Sequence, residues 1–334
     1  MFEHTQKIGY LLINLGTPDS PAVEDVRRYL GEFLMDPHVL DIPWALRALI
    51  VNAFILPFRP KDSAEDYSKI WTPEGSPLLV KSQALADKLH ERLGAPVALS
   101  MRYGKPAIAD GLQVLHDSGV TQVCIVPLYP HYADSTIATS VNAAMAHMPA
   151  GMLGDVITPF YQAPEHTEAW GENIRQHLPE HWDHLLFSYH GLPVSQLNDV
   201  YEEGLCSDRD CEKGVHGDNH YCYKATCFET TKLINKKLKL PNKKIVTSFQ
   251  SRLDSGWVKP FSDKVIKDLA ESGAKSLLVV SPSFTGDCLE TIIEIGDEYE
   301  ELFLEKGGQK LDYVPSLNSN DSWVKCIVNI IRGL

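Results

Sequence analysis

Residues 105–127 read KPAIADGLQVLHDSGVTQVCIVP, and residues 259–282 read KPFSDKVIKDLAESGAKSLLVVSP. At a constant offset of 154 the two Lys-Pro pairs coincide, as do Leu115 with Leu269, Ser118-Gly119 with Ser272-Gly273, and Val126 with Val280. Each stretch reads as a helix opened by proline, whose missing N–H costs nothing there, then a glycine stop and a buried apolar strand. The pattern spreads outward from these copies. LLINLG (11–16), VALSMRY (97–103), LLFSYH (185–190) and KIVTSFQ (244–250) are short runs, apolar on both faces, separated by amphipathic helical segments. That alternation is the signature of parallel sheets flanked by helices. The expected architecture is α/β: two similar Rossmann-like halves over 1–155 and 156–312, with a C-terminal helix in 313–334.

Composition narrows the function. Lys+Arg 31 against Asp+Glu 44 leaves a net charge of −13 over 334 residues. So acidic a chain argues against sequence-independent nucleic-acid binding, which needs cations facing phosphates. The apolar run at the start is only about six residues long and runs straight into Gly16 and Thr17-Pro18, unlike a signal peptide. Residues 42–58, IPWALRALIVNAFILPF, contain Arg47 and fall short of the ~20 residues of a spanning helix. The default expectation is a cytoplasmic protein. Residues 42–58 read either as a buried core helix or as an apolar lip for a flat ligand or a membrane surface.

In open α/β sheets, ligands bind beyond the carboxyl ends of the strands. Those positions here hold Asn14-Leu15-Gly16, Arg102-Tyr103, Tyr129-Pro130-His131, Ser188-Tyr189-His190-Gly191, Gln250-Ser251-Arg252 with Trp257, and residues 283–290. His190 is either a turn histidine or a base, since imidazole titrates near neutrality. Glu290, Glu294 and Glu298 recur every fourth residue and share one helix face. The distal end reads as a solvated acidic face. Glu290, just after a strand, can bind a cation or accept a proton.

Seven cysteines are present, and four crowd into Cys206-x4-Cys211 and Cys222-x4-Cys227 with ten residues between the pairs. In a reducing compartment such clusters more often hold metal than disulfides. Zinc is one reading, with His216 and His220 as spare ligands. Four thiolates without a required histidine also suit an iron–sulfur cluster.

The segments GTPDSPAVEDVRRYLGEFLMDPHVLDIP (16–43), EGSPL (74–78), MRY (101–103), SYHGLP (188–193), FQSR (249–252) and FTGDCLETIIEI (284–295) resemble the ferrochelatases, over about residues 9–318. The resemblance implies a chelatase-type fold whose two halves enclose a cleft for a porphyrin, and insertion of Fe2+ into protoporphyrin IX with loss of two protons, the last step of haem synthesis. On it, His190 matches the essential histidine, Glu290 the catalytic glutamate and Glu294 the next carboxylate on the proton or metal path; His190 and Glu290 are the expected transient metal ligands. Ser76, Arg102, Tyr103 and Tyr129 match porphyrin-contacting positions, Trp257 a cleft tryptophan, and residues 33–58 the lip over the macrocycle. Cys206, Cys211, Cys222 and Cys227 match an internal [2Fe-2S] site of some microbial members. Cys288 stands where animal members carry histidine. Leu15 stands where coproporphyrin-using members carry tyrosine, which leans toward protoporphyrin. The rivals are a tetrapyrrole chelatase for coproporphyrin or for cobalt or nickel, a two-lobed tetrapyrrole-binding protein without chemistry, and a structural zinc protein. Peripheral contact with the inner membrane is a further expectation, because protoporphyrin is poorly soluble.

Overall fold

A computed structural model describes residues 7–333. The chain forms two compact units. One takes in the chain up to Tyr129, then 133–158 and the end from Ile327; the other takes in 130–132 and 159–326. The first unit holds strands β1 (Ile8–Thr17), β2 (Val97–Gly104), β3 (Gln122–Pro127) and β4 (Leu153–Val156). The second holds β5 (His184–His190), β6 (Ile245–Gln250), β7 (Ser276–Val280) and β8 (Lys310–Tyr313). Their orders are β2-β1-β3-β4 and β6-β5-β7-β8, and every pairing is parallel. The two sheets therefore share one topology.

The six strands expected from the apolar runs are all present. Leu11, Leu12 and Ile13 in β1, like Leu185, Leu186 and Phe187 in β5, are fully buried on both faces, as a helix-covered parallel strand demands. In the first unit Leu112 and Leu115 pack onto Leu11 and Ile13; in the second Ile266 and Ala270 pack onto Leu186 and Val279. The edge strands β4 and β8 were not expected. Each has only four residues.

The repeated Lys-Pro pairs do something other than open helices. The helices start two residues after each proline, at Ile108 and Ser262, and both Lys-Pro bonds are cis. The Pro106 carbonyl accepts the Met101 N–H at 2.7 Å, and the Pro260 carbonyl accepts the Phe249 N–H at 2.8 Å. Each proline thus serves the edge of its sheet. Pairing carries the equivalence further: Leu12 lies beside Val126, and Phe187 beside Val280. Counting forward, Leu15-Gly16-Thr17-Pro18 falls on His190-Gly191-Leu192-Pro193.

Residues 42–58 do not form a core helix. They run as an α-helix over Trp44–Leu49 and a π-helix over Ile50–Ile55. Val51 is buried, as is Arg47, whose guanidinium donates to the Leu40 carbonyl at 3.0 Å. Trp44, Phe54 and Phe58 are 69%, 65% and 71% exposed. No helix among the described residues is long and apolar enough to cross a membrane.

Candidate active site

In the second unit the chemistry gathers at the carboxyl ends of β5, β6 and β7. His190 is the last residue of β5, and its backbone N–H donates to the Ser283 hydroxyl at 3.2 Å, on the loop after β7. Its ring Nδ1 sits 2.6 Å from the Gly191 carbonyl. A carbonyl only accepts, so Nδ1 carries the proton and the Nε2 lone pair is left as the basic site. Trp257 and Phe284 flank the imidazole, with ring centroids at 6.3 and 6.0 Å. Gly191 permits this closeness: a Cβ there would lie 2.7 Å from the Gln250 carbonyl oxygen and 3.2 Å from the Trp257 ring.

The Glu290–Glu298 segment is a π-helix, continued by an α-helix over Tyr299–Glu305. The expectation of plain α-helical stacking therefore gives way to wider, i→i+5 winding, a form concentrated at functional sites. Gln250, the β6 partner of His190, donates to the Glu290 carbonyl and to the Glu294 carboxylate, both at 3.3 Å. Gln250 thereby ties the strand end that carries His190 to the acidic helix. Cys288 is buried; burial and the neighbouring Glu290 carboxylate push its thiol well up, so it stays a neutral S–H.

In the first unit Arg102 is half-buried at the end of β2. Its Nη2 donates to Asp36 at 2.6 Å, its Nε to the Thr139 hydroxyl at 2.7 Å, and its guanidinium lies 4.5 Å from the centre of the Tyr103 ring. The same Asp36 oxygen accepts from the Tyr103 hydroxyl at 2.8 Å and from Thr139 at 2.6 Å. Burial pushes the Asp36 carboxyl up, but these donors, the His38 N–H and the Arg102 charge outweigh it and hold it below its ordinary value. Tyr103 is 1% exposed, so its hydroxyl is spent on bracing Arg102. Tyr129 is buried, which pushes its phenol up. Ser76 is buried and accepts from the Thr17 hydroxyl at 2.8 Å. It lines a cavity of about 540 Å³ with Pro18, Trp71 and Lys105; none of Leu15, Arg102, Tyr103 and Tyr129 lines it.

Of the four clustered cysteines, three come together. Their Sγ atoms stand 3.8 Å (Cys206–Cys211), 3.6 Å (Cys206–Cys222) and 3.7 Å (Cys211–Cys222) apart, and all are buried. Cys211 also lies 3.5 Å from the Tyr201 hydroxyl and 3.7 Å from the Asn219 amide nitrogen. The Cys206 thiol donates to Cys211 and these thiol contacts hold Cys211 down, toward the thiolate a metal needs, while pushing Cys206 up. Cys227 is fully buried in the helix Tyr223–Leu238, is pushed well up by that burial, and does not join the trio. Neither His216, bonded through Nδ1 to the Gly214 carbonyl at 2.9 Å, nor His220, packed on Tyr221, joins it.

The family model described as ferrochelatase matches residues 7–333 of this chain. The chain belongs to the ferrochelatase family. A ferrochelatase of Coxiella burnetii (strain Dugway) is 43% identical over 335 residues, spanning 99% of this chain and 94% of that protein. One of Pseudomonas putida (strain F1) is 41% identical over 329 residues, spanning 96% and 97%. The fold is shared more widely. The sirohydrochlorin chelatase SirB of Bacillus subtilis subspecies spizizenii, solved with cobalt, aligns over 98% of this chain and 94% of its own with a TM-score of 0.54 at 13% identity. Membership makes this chain a metal-chelatase enzyme of the ferrochelatase type, with the two parallel-sheet halves of that fold.

Arg102 and His190 stand at strand ends as the sequence reading has them, with Trp257 and Glu290 in the segments after β6 and β7. Asp36, Thr139 and Tyr299 are not singled out by that reading. A lone aspartate after a helix and a tyrosine one turn beyond Glu294 leave no periodic signal; only three-dimensional bonding reveals them.

Proposed function

We propose that this ferrochelatase inserts Fe2+ into protoporphyrin IX, with His190 as the base and Glu290 and Glu294 on the metal and proton route. A free-base porphyrin is planar and holds two N–H protons, so a metal enters only when the ring bends and a nitrogen lone pair is exposed. Binding energy at the ring edge offsets that bending, a few kcal/mol in the usual range of substrate strain. His190 Nε2 takes a pyrrole proton, while Nδ1 is anchored on Gly191. Glu290, first residue of the π-helix, guides Fe2+ inward or carries protons away. Imidazole and carboxylate are both transient iron ligands in this reading. Trp257 and Phe284 offer apolar contact beside the imidazole; in the first unit Leu15 offers an apolar contact and Arg102 a cation. The observation that carries the reading is the imidazole anchored through Nδ1 on the Gly191 carbonyl, with the Trp257 and Phe284 rings beside it.

The test is an insertion assay with zinc and ferrous ion, comparing protoporphyrin with coproporphyrin. Faster turnover of protoporphyrin is expected, because Leu15 gives a carboxylate no donor. A preference for coproporphyrin, or for cobalt over iron, would move the assignment to the rival chelatase reading.

The cysteine insert extends this reading. Buried thiols in mutual contact, one of them held toward thiolate, fit a thiolate-bound metal group. Cys206, Cys211, Cys222 and Cys227 would hold a [2Fe-2S] cluster; when bound it supplies a redox centre that redox-neutral insertion does not consume. Of these, Cys227 rests on the resemblance alone. Anaerobically purified protein is expected to contain iron and acid-labile sulfide and to show visible charge-transfer absorption, all lost in Cys211→Ser. Zinc in place of iron and sulfide would reject the cluster. We also read the exposed Trp44, Phe54 and Phe58 as the lip over the ring and a peripheral contact for the cytoplasmic face of the inner membrane.

A further inference from the structure

Gln250 and Ser251, the centre of the FQSR segment, spend unusual structure on one carboxylate. Ser251 is held at φ 58°, a left-handed conformation that side-chain-bearing residues pay to adopt. In that conformation its N–H donates to Glu294 Oε1 at 2.7 Å and its hydroxyl to Oε2 at 2.5 Å. Tyr299 donates to Oε1 at 2.9 Å and Gln250 to Oε2 at 3.3 Å. Gln250 is itself anchored, its side-chain amide oxygen Oε1 accepting from the Ser188 hydroxyl at 2.8 Å and the Ser281 hydroxyl at 3.0 Å. Burial and the Glu294 charge push the Tyr299 phenol up, so it remains a donor. Each Glu294 oxygen thus meets two donors, and the side chain is fixed at both. Glu290 is bonded differently. Gln250 grips its backbone carbonyl, and its carboxylate meets the Cys288 thiol, a weak donor.

We infer that Ser251, Tyr299 and Gln250 are positioning residues that pin Glu294 as a stationary anionic post for a divalent cation, leaving Glu290 as the arm that moves between post and ring. The inference rests on the reading that Fe2+ passes along the π-helix. A carboxylate fixed at both oxygens presents its negative charge at one place, so each donor lost lets that charge wander and weakens the post. A second, swinging carboxylate then completes the handover.

The test is a double-mutant cycle read as separate KM values for metal ion (zinc and ferrous) and for protoporphyrin. Ser251→Ala and Tyr299→Phe are each expected to raise the metal KM roughly tenfold, the scale of one lost hydrogen bond to a charged group, with the porphyrin KM unmoved. In an E294Q background neither change is expected to raise the metal KM further. Glu290→Asp, which shortens the arm, is expected to lower kcat and spare the metal KM. Thermal unfolding of each variant controls for misfolding. A metal KM that still rises tenfold in the E294Q background, or porphyrin and metal KM values rising together, overturns the positioning role. A metal KM unchanged in E294Q alone overturns the metal-route reading and the inference with it.

Discussion

Replacing His190 with alanine is expected to lower metal insertion roughly a thousandfold, the middle of the range for a lost general base. Porphyrin binding is expected to persist, because the surrounding wall does not depend on the imidazole. Trp257 is set by main-chain pairing: a bridge to Pro193, and the Val258 N–H donating to the Leu192 carbonyl at 2.9 Å. Phe284 is fixed by its N–H on the Ser281 carbonyl at 3.0 Å. His190→Gln sharpens the experiment, since an amide can still reach the Gly191 carbonyl but has no basic nitrogen. Both variants are expected to bind protoporphyrin, followed by its absorbance and fluorescence, and neither to turn it over at a useful rate. Near-normal zinc insertion by His190→Ala would remove the histidine from the mechanism; loss of porphyrin binding would make it a structural residue instead.

The second large effect is expected at Gly16. This residue lies beside Tyr103 where β1 and β2 end, with φ at 126°, and a Cβ there would run into the Tyr103 carbonyl oxygen. Backbone, unlike a flexible side chain, has nowhere to go. Gly16→Ala is therefore expected to cost about 4 kcal/mol or more, in the tail reserved for strained backbone and overpacking. The damage also reaches function, because parting β1 from β2 shifts Arg102 and the Asp36 network. Gly94 is the control. It caps a helix at φ 62° with nothing within 4 Å of a built Cβ, so Gly94→Ala meets only the conformational cost of about 1–2 kcal/mol. Urea unfolding of the two variants separates clash from conformation. Equal losses would show that the close approach at Gly16 relaxes freely.

The sequence was most legible where burial imposed a simple pattern. Six strands betray themselves because helices cover both their faces, so apolar residues occupy consecutive positions such as Leu11-Leu12-Ile13 and Leu185-Leu186-Phe187. Strands 153–156 and 310–313 escape because each has only four residues and exposed side chains, as Leu153 and Lys310 show, whereas the other edge strands, β2 and β6, are longer and carry apolar runs. The Lys-Pro copies were misread locally and read well globally. A proline before a helix suggests its first turn, yet here its carbonyl folds back to accept from the strand the chain has just left, Met101 in β2 and Phe249 in β6. At the candidate site, His190 draws attention because it is a titratable group at a strand end followed by glycine, and Glu290 because it opens the acidic helix after β7. Asp36 stands 66 residues from Arg102 and Tyr299 leaves no motif, so their partnerships exist only in the fold.

The shared sheet topology carries one last implication. The position taken by Leu15 in the first sheet is taken by His190 in the second, each followed by a glycine that lies too close to the neighbouring strand to bear a side chain. A half-length ancestor that associated with itself would be bound to display the same residue twice. Fusion into a single polypeptide frees the copies to diverge, so that one repeat keeps a greasy residue while its twin acquires an ionisable one. On this view duplication is what allowed two equivalent strand ends to carry different chemistry on one topology.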